Sequence, residues 1–207
     1  MLKMKFSFLS VICLCLFLVS TGNMGCKSEG EKQDALGQSE QPGRSKASQS
    51  TSELSAALRD SAVRGQIQGV RATLERGADV NTSDELGRTA LMFAAFDGHT
   101  DIVRLLLSKG AQVDLRDSSG RTALMYSSSG SFPETVQLLL DWKADPNLVD
   151  NIEKWTALMF AAGEGQLEVV KILLEHGADP KLKDVDGDTA LTFAQRNGHV
   201  QVVSLLK

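Results

Sequence analysis

The stretch from Asp84 to Asp114, DELGRTALMFAAFDGHTDIVRLLLSKGAQVD, decides the fold, because its central block returns three more times along the chain. GRTALMFAA begins at Gly87, GRTALMYSS at Gly120, KWTALMFAA at Lys154 and GDTALTFAQ at Gly187. The threonines that open the shared core, Thr89, Thr122, Thr156 and Thr189, are 33, 34 and 33 residues apart. Self-similarity at this length indicates a solenoid, in which each unit buries its apolar face only against its neighbours. Such a surface binds, and the repeat by itself does not say what.

Each unit switches from loop to helix at its threonine. Thr89 can cap a short helix over Ala90 to Phe96 by accepting from an otherwise unpaired backbone N–H, with Leu91, Ala94 and Ala95 on one face. Gly98 ends that helix, and a second is expected from about Asp101 to Lys109, with Ile102, Val103, Leu105, Leu106 and Leu107 as its apolar stripe. Gly110 closes it, and a polar turn leads to the next unit.

These residues resemble the ankyrin repeat, whose pattern is a turn with DxxGxT, a TPLHxAA helix, GH, an IVxLLL helix and GADVN. The pattern recurs from Asp117, Asp150 and Asp184, and LRDSAVRGQIQGVRATLERGADVN from Leu58 supplies a first unit without the opening loop. The resemblance implies an all-α ankyrin-repeat solenoid of stacked helix-turn-helix units joined by hairpin-like loops. Its five units lie at about 54–83, 84–116, 117–149, 150–183 and 184–207, and those at the two ends are incomplete caps.

Departures from the family pattern bear on stability. Ala90, Ala123, Ala157 and Ala190 replace proline, losing a preset φ but keeping a strong helix former. Met92, Met125, Met159 and Thr192 replace the histidine that hydrogen-bonds around the threonine, so that network is expected to be missing. In the third unit Ser127 and Ser128 replace paired alanines. Lys143 there takes a helix-ending glycine position, where a side chain costs about 1 kcal/mol. The array is therefore expected to be weakest there. In the fourth unit one extra residue precedes Thr156 and Lys154 replaces the hairpin glycine, so the turn from Asp150 to Trp155 should differ in shape.

The N-terminal quarter reads as address and tether. Lys3 and Lys5 precede an uncharged, mostly apolar run from Phe6 to Val19, then Ser20, Thr21 and Gly22. As a helix that run would span about 21 Å, short of a bilayer core of about 30 Å. Residues 1–25 therefore read as a signal peptide. Cys26, after Asn23, Met24 and Gly25, resembles the lipidated cysteine of a bacterial lipoprotein, although that family usually has an aliphatic residue where Asn23 stands. Cleavage near Gly22, giving a soluble exported protein, is the alternative. Residues 27–52, rich in Ser, Gln, Gly, Lys and Glu, are expected to form an unfolded tether with a reach of roughly 25 to 30 Å.

Composition narrows the chemistry. All three cysteines, Cys13, Cys15 and Cys26, precede the repeats, which therefore hold neither a disulfide nor a thiolate metal site. Without Lys3 and Lys5 the chain has 20 basic against 26 acidic residues, a formal balance of −6, which argues against nucleic acid as a partner. Asp184, Asp186 and Asp188 begin like a calcium loop, but Thr189 and Gln195 stand where it needs glycine and glutamate. His99, His176 and His199 sit at turn positions and read as structural, as do Asp101, Glu134 and Glu168 at second-helix starts. No nucleophile, base and orienter can be assembled from the repeats, so neither catalysis nor a cofactor is expected.

In the ankyrin family, partners lie on the hairpin tips and the short inner helices. Carried onto this sequence, that surface comprises Leu86, Arg88, Phe96, Asp97, Arg121, Ile152, Trp155, Glu164, Asp188 and Arg196, with Leu86, Phe96, Ile152 and Trp155 as its apolar part. Alanine at both Phe96 and Trp155 is expected to weaken partner capture without unfolding the protein. The expected function is a non-catalytic, monomeric protein-binding module, exported to the bacterial cell envelope and held at a membrane by Cys26. An exported soluble effector or inhibitor acting on a foreign or host protein is the alternative.

Overall fold

The computed structural model describes residues 45–207, so the expected signal peptide, Cys26 and the tether as far as Arg44 lie outside the described residues. Ten helices follow in pairs. They are α1 (Ser45–Val63), α2 (Ile67–Glu75), α3 (Ala90–Phe96), α4 (Thr100–Ser108), α5 (Ala123–Ser128), α6 (Pro133–Asp141), α7 (Ala157–Glu164), α8 (Leu167–Glu175), α9 (Ala190–Asn197) and α10 (Val200–Leu206). Helices α3, α5, α7 and α9 stack on one another as an inner row, and α4, α6 and α8 form the outer row beside it. No strand occurs among the described residues, only one isolated bridge between Ser83 and Thr89. The expected all-α solenoid is therefore what the chain forms.

Helices of six to nine residues are too short to persist alone, so packing holds them. Leu91, Leu124 and Leu158 of the inner row and Val103, Val136 and Val170 of the outer row are all buried. The equivalent Leu191 and Val203 of the last unit are only half-buried. Helix α1 begins at Ser45, inside the stretch whose composition predicts a tether. Once Leu58 and Ala62 anchor its C-terminal half, each residue added behind them gains one hydrogen bond, so low apolarity does not stop the helix there.

Threonine caps start the inner helices as expected. Thr89, Thr122 and Thr156 Oγ1 accept from the N–H of Met92, Met125 and Met159 at 3.3, 3.4 and 3.2 Å. The reciprocal bond, expected to be missing, survives in two units. The Met92 thioether accepts from Thr89 N–H at 3.4 Å, and Thr192 Oγ1 accepts from Thr189 N–H at 3.2 Å. A sulfur or hydroxyl at that helical position reaches the cap as an imidazole would, though sulfur is the weaker acceptor.

Two kinds of stitch join successive units. Asn81 accepts from Gln112 N–H at 2.8 Å and donates to the Gly110 carbonyl, and Asn147 does the same for Asp179 N–H and the Gly177 carbonyl. His99 and His199 place Nε2 at 3.2 and 2.9 Å from the carbonyls of Val63 and Gly163. The junction between the second and third units has neither in full. Asp114, standing where its neighbours have Asn, accepts from Asp145 N–H at 3.2 Å but has no N–H to donate. Phe132 replaces the histidine and packs so closely on Gly98 and Gly130 that a Cβ on either would lie 2.2 or 2.4 Å from its ring.

Burial raises the Asp114 carboxyl above its ordinary pKa; the Asp145 N–H opposes that and the Asp145 charge adds to it. A pKa raised by folding means that proton binding favours the folded state, an advantage complete below the ordinary carboxylate value and lost as pH rises through the raised one. At neutral pH the charged Asp114 therefore opposes folding. Asp114→Asn is expected to stabilise the domain by about 1 kcal/mol at pH 7, through a new bond to the Lys143 carbonyl and the loss of that charge. Urea unfolding at pH 7 and pH 3.5 checks it, the gain being smaller at the acid value. Equal gains at both would place the whole effect in the amide.

Candidate partner-binding surface

The hairpin loops are organised by one aspartate each, and the third of these, Asp150 of the fourth unit, carries the irregularity that the sequence predicts. Asp84 Oδ1 accepts from the N–H groups of Leu86 and Arg88, Asp117 Oδ1 from Ser119 and Arg121, and Asp184 Oδ1 from Asp186 and Asp188. Asp150 Oδ1 instead accepts from Ile152, Glu153 and Trp155, because the extra residue widens the turn and its closing bond runs from Asp150 N–H to the Trp155 carbonyl. Lys154 takes the left-handed φ of 62° that glycine holds in the other hairpins. Asp184 thus serves a repeat turn. Among the described residues no group of three or more His, Cys, Asp or Glu side chains could hold a metal ion.

The second oxygen of each aspartate finds a different partner. Arg88 meets Asp84 Oδ2 at 2.8 Å through Nε, Tyr126 donates to Asp117 Oδ2 at 2.6 Å, and Trp155 Nε1 donates to Asp184 Oδ2 at 3.2 Å. Burial, then the bond to Asp117, pushes the Tyr126 hydroxyl pKa upward, so it remains a donor. Asp150 Oδ2 has no hydrogen bond; it is fully buried and faces Arg121 Nε at 3.9 Å.

Four aromatic side chains that the sequence reading passed over line the inner helices. Phe93, Tyr126, Phe160 and Phe193 each follow a unit's threonine by four positions. Arg88 lies 4.9 Å from the Phe93 ring centre and Arg121 lies 5.3 Å from that of Phe160, in range for cation–π attraction. Phe96 meets Tyr126 edge to face at 6.0 Å, and Trp155 is wedged between Phe160 and Phe193 at 5.3 Å from each. The available signal was an aromatic residue at one register position in all four threonine-led units.

The ten predicted contact residues divide accordingly. Leu86 and Ile152 stand at hairpin tips, 45% and 58% exposed, and Val185 joins them at 56%. Phe96 is half-buried. Arg88 and Arg121 are drawn onto the aspartates and rings beneath them, and Arg196 onto Asp188. Trp155 is half-buried in its wedge, so alanine there would remove packing along with any contact surface. Asp97 and Glu164, near the C-terminal ends of α3 and α7, have no cation paired with them among the described residues. Burial raises the pKa of both, opposed by His99 near Asp97 and by His199 near Glu164. The outer helices carry a separate open groove of about 410 Å³, and none of the ten residues lines it.

The family model of ankyrin repeats, three copies long, matches residues 56–150 and again 128–207, and the chain belongs to that family. Ankyrin repeats are protein–protein interaction modules and are generally non-catalytic. Among curated proteins, none matches the chain. No helix among the described residues is long and apolar enough to cross a membrane.

Proposed function

We propose that this chain is an exported, monomeric ankyrin-repeat module, lipid-anchored at Cys26 in the bacterial cell envelope, that holds a protein partner across its hairpin tips and inner helices. The observation that carries the binding face is its rigid aromatic floor beneath exposed apolar tips. Phe93, Tyr126, Phe160, Trp155 and Phe193 are locked by rings and aspartates, while Leu86, Ile152 and Val185 stand in solvent. Preorganised side chains lose little freedom on binding, which favours recognition by shape. The N-terminal sequence supports the address, with two lysines, an apolar run and a cysteine after Gly25. An anchor followed by a tether would raise the partner's encounter frequency at the membrane.

Mass spectrometry of the mature protein is expected to show an acylated Cys26 as its first residue. An unmodified chain starting near Asn23 and recovered outside the cell would instead favour a soluble effector. For the face, Phe96→Ala combined with Leu86→Ser and Ile152→Ser is expected to weaken capture of the envelope partner at least about tenfold, a loss of about 1.4 kcal/mol. Helical content should not change, since none of the three side chains belongs to the fully buried core. Undiminished capture by the triple variant would move the contact elsewhere.

A further inference from the structure

The charges on the proposed face are unbalanced in a way that its composition conceals. Arg88, Arg121 and Arg196 are already committed to Asp84, Asp150 and Asp188. Of the other charged side chains on the hairpins and inner-helix ends, Glu85, Asp97, Glu153, Glu164 and Asp186 are acidic, against Lys154 and an Arg116 whose guanidinium is hydrogen-bonded to the Gly120 carbonyl and Asn151. No ion pair reaches any of these seven among the described residues. The surface offers carboxylates and keeps its arginines for itself.

We infer that the partner seated on this face is a basic protein segment in which Lys or Arg alternates with apolar residues, its cations meeting Asp97 and Glu164 and its apolar side chains meeting Phe96, Leu86 and Ile152. This rests on the face proposed above and adds the chemistry of its occupant. Glu164 is half-buried, and its Oε1 is shut off from solvent without a hydrogen-bond partner, so the carboxylate carries a charge that nothing in the chain compensates and that a cation at its accessible side would stabilise. Burial that disfavours the charged forms of Asp97 and Glu164 points the same way, since a cation placed beside them would relieve it. Between the two lies the end of α5, where Gly130, in register with Asp97, carries no charge and is covered by the Phe132 ring. Asp97 and Glu164 stand two units apart, roughly 20 Å at the usual spacing of packed helices, a distance that about six extended residues span.

The test is selection of a random peptide library, displayed on phage, against the full chain, followed by binding of the selected peptides to Asp97→Asn/Glu164→Gln and, separately, to Phe96→Ala. Neutralising the two carboxyls removes a burial penalty, so the double variant should melt no lower than the wild type. Expected are peptides rich in Lys and Arg whose binding weakens as salt rises and falls at least about tenfold in the double variant, the size expected for removal of close charge partners. Selected peptides that need Phe96 but are neutral or acidic, or that ignore the double variant, would overturn the basic partner and leave the face standing. Failure to select any peptide that depends on Phe96 or on the carboxylates would overturn both.

Discussion

Asp150→Ala is expected to lower the unfolding free energy by about 3 kcal/mol, the largest loss among the hairpin aspartates. Three backbone N–H groups converge on its Oδ1 in the widened turn, and the side chain is fully buried. Alanine would remove the shared acceptor of three part-buried donors and leave Arg121, itself only 13% exposed, facing no counter-charge. The loss is held near 3 kcal/mol because removing the carboxylate also relieves an Oδ2 that has no hydrogen bond. Asp150→Asn keeps an acceptor for the turn and should cost about 1 kcal/mol. Asp84→Ala is the control: its side chain is 21% exposed, so water can reach its N–H partners and the expected loss is about 1 kcal/mol. Urea unfolding of the three variants decides it. A loss at Asp150 no larger than at Asp84 would show that burial does not set the energetics of these turns.

Lys143→Gly together with Ser128→Ala is expected to stabilise the protein by about 2 kcal/mol and to raise the melting temperature by about 4 to 8 °C. Lys143 holds φ at 69°, which glycine adopts freely and a side chain resists. Ser128 Oγ is fully buried without a hydrogen bond, at a position where Ala95 and Ala162 pack in the flanking units. Removing that hydroxyl lifts a desolvation penalty and leaves a residue already accommodated twice. Both faults fall in the unit whose junction with the second unit lacks the full Asn and His stitches, so weakness accumulates at one place in a nearly one-dimensional stack. Hydrogen exchange should accordingly show residues 127–143 of the wild type less protected than the neighbouring units, with the gap closing in the double variant. Equal protection in the wild type would remove the basis for a weak third unit.

How far the residues alone lead is clearest from particular positions. Thr89, Thr122 and Thr156 announce helix starts, and the structure caps three helices on them. The outer helix expected from Asp101 runs from Thr100 to Ser108, one residue off. Lys143 and Lys154 could be flagged because glycine occupies the matching places elsewhere, and both prove left-handed. These features depend on a few consecutive residues, where spacing and backbone preference act directly. Trp155 shows where that stops. Its hydropathy suggests a free anchor, yet its indole is bonded to Asp184, 29 residues onward, and pinned by Phe193.

By itself the sequence determined the period, the helix pairs, the left-handed position at Lys143 and the widened fourth turn, because each follows from local chemistry repeated at a fixed interval. Only the stacked structure decided which charges were already spent, which rings form a floor and which carboxylates stand unanswered. Those outcomes depend on side chains brought together from adjacent units, about one repeat apart in sequence, and whether a group is buried or free is settled by what the next unit places upon it.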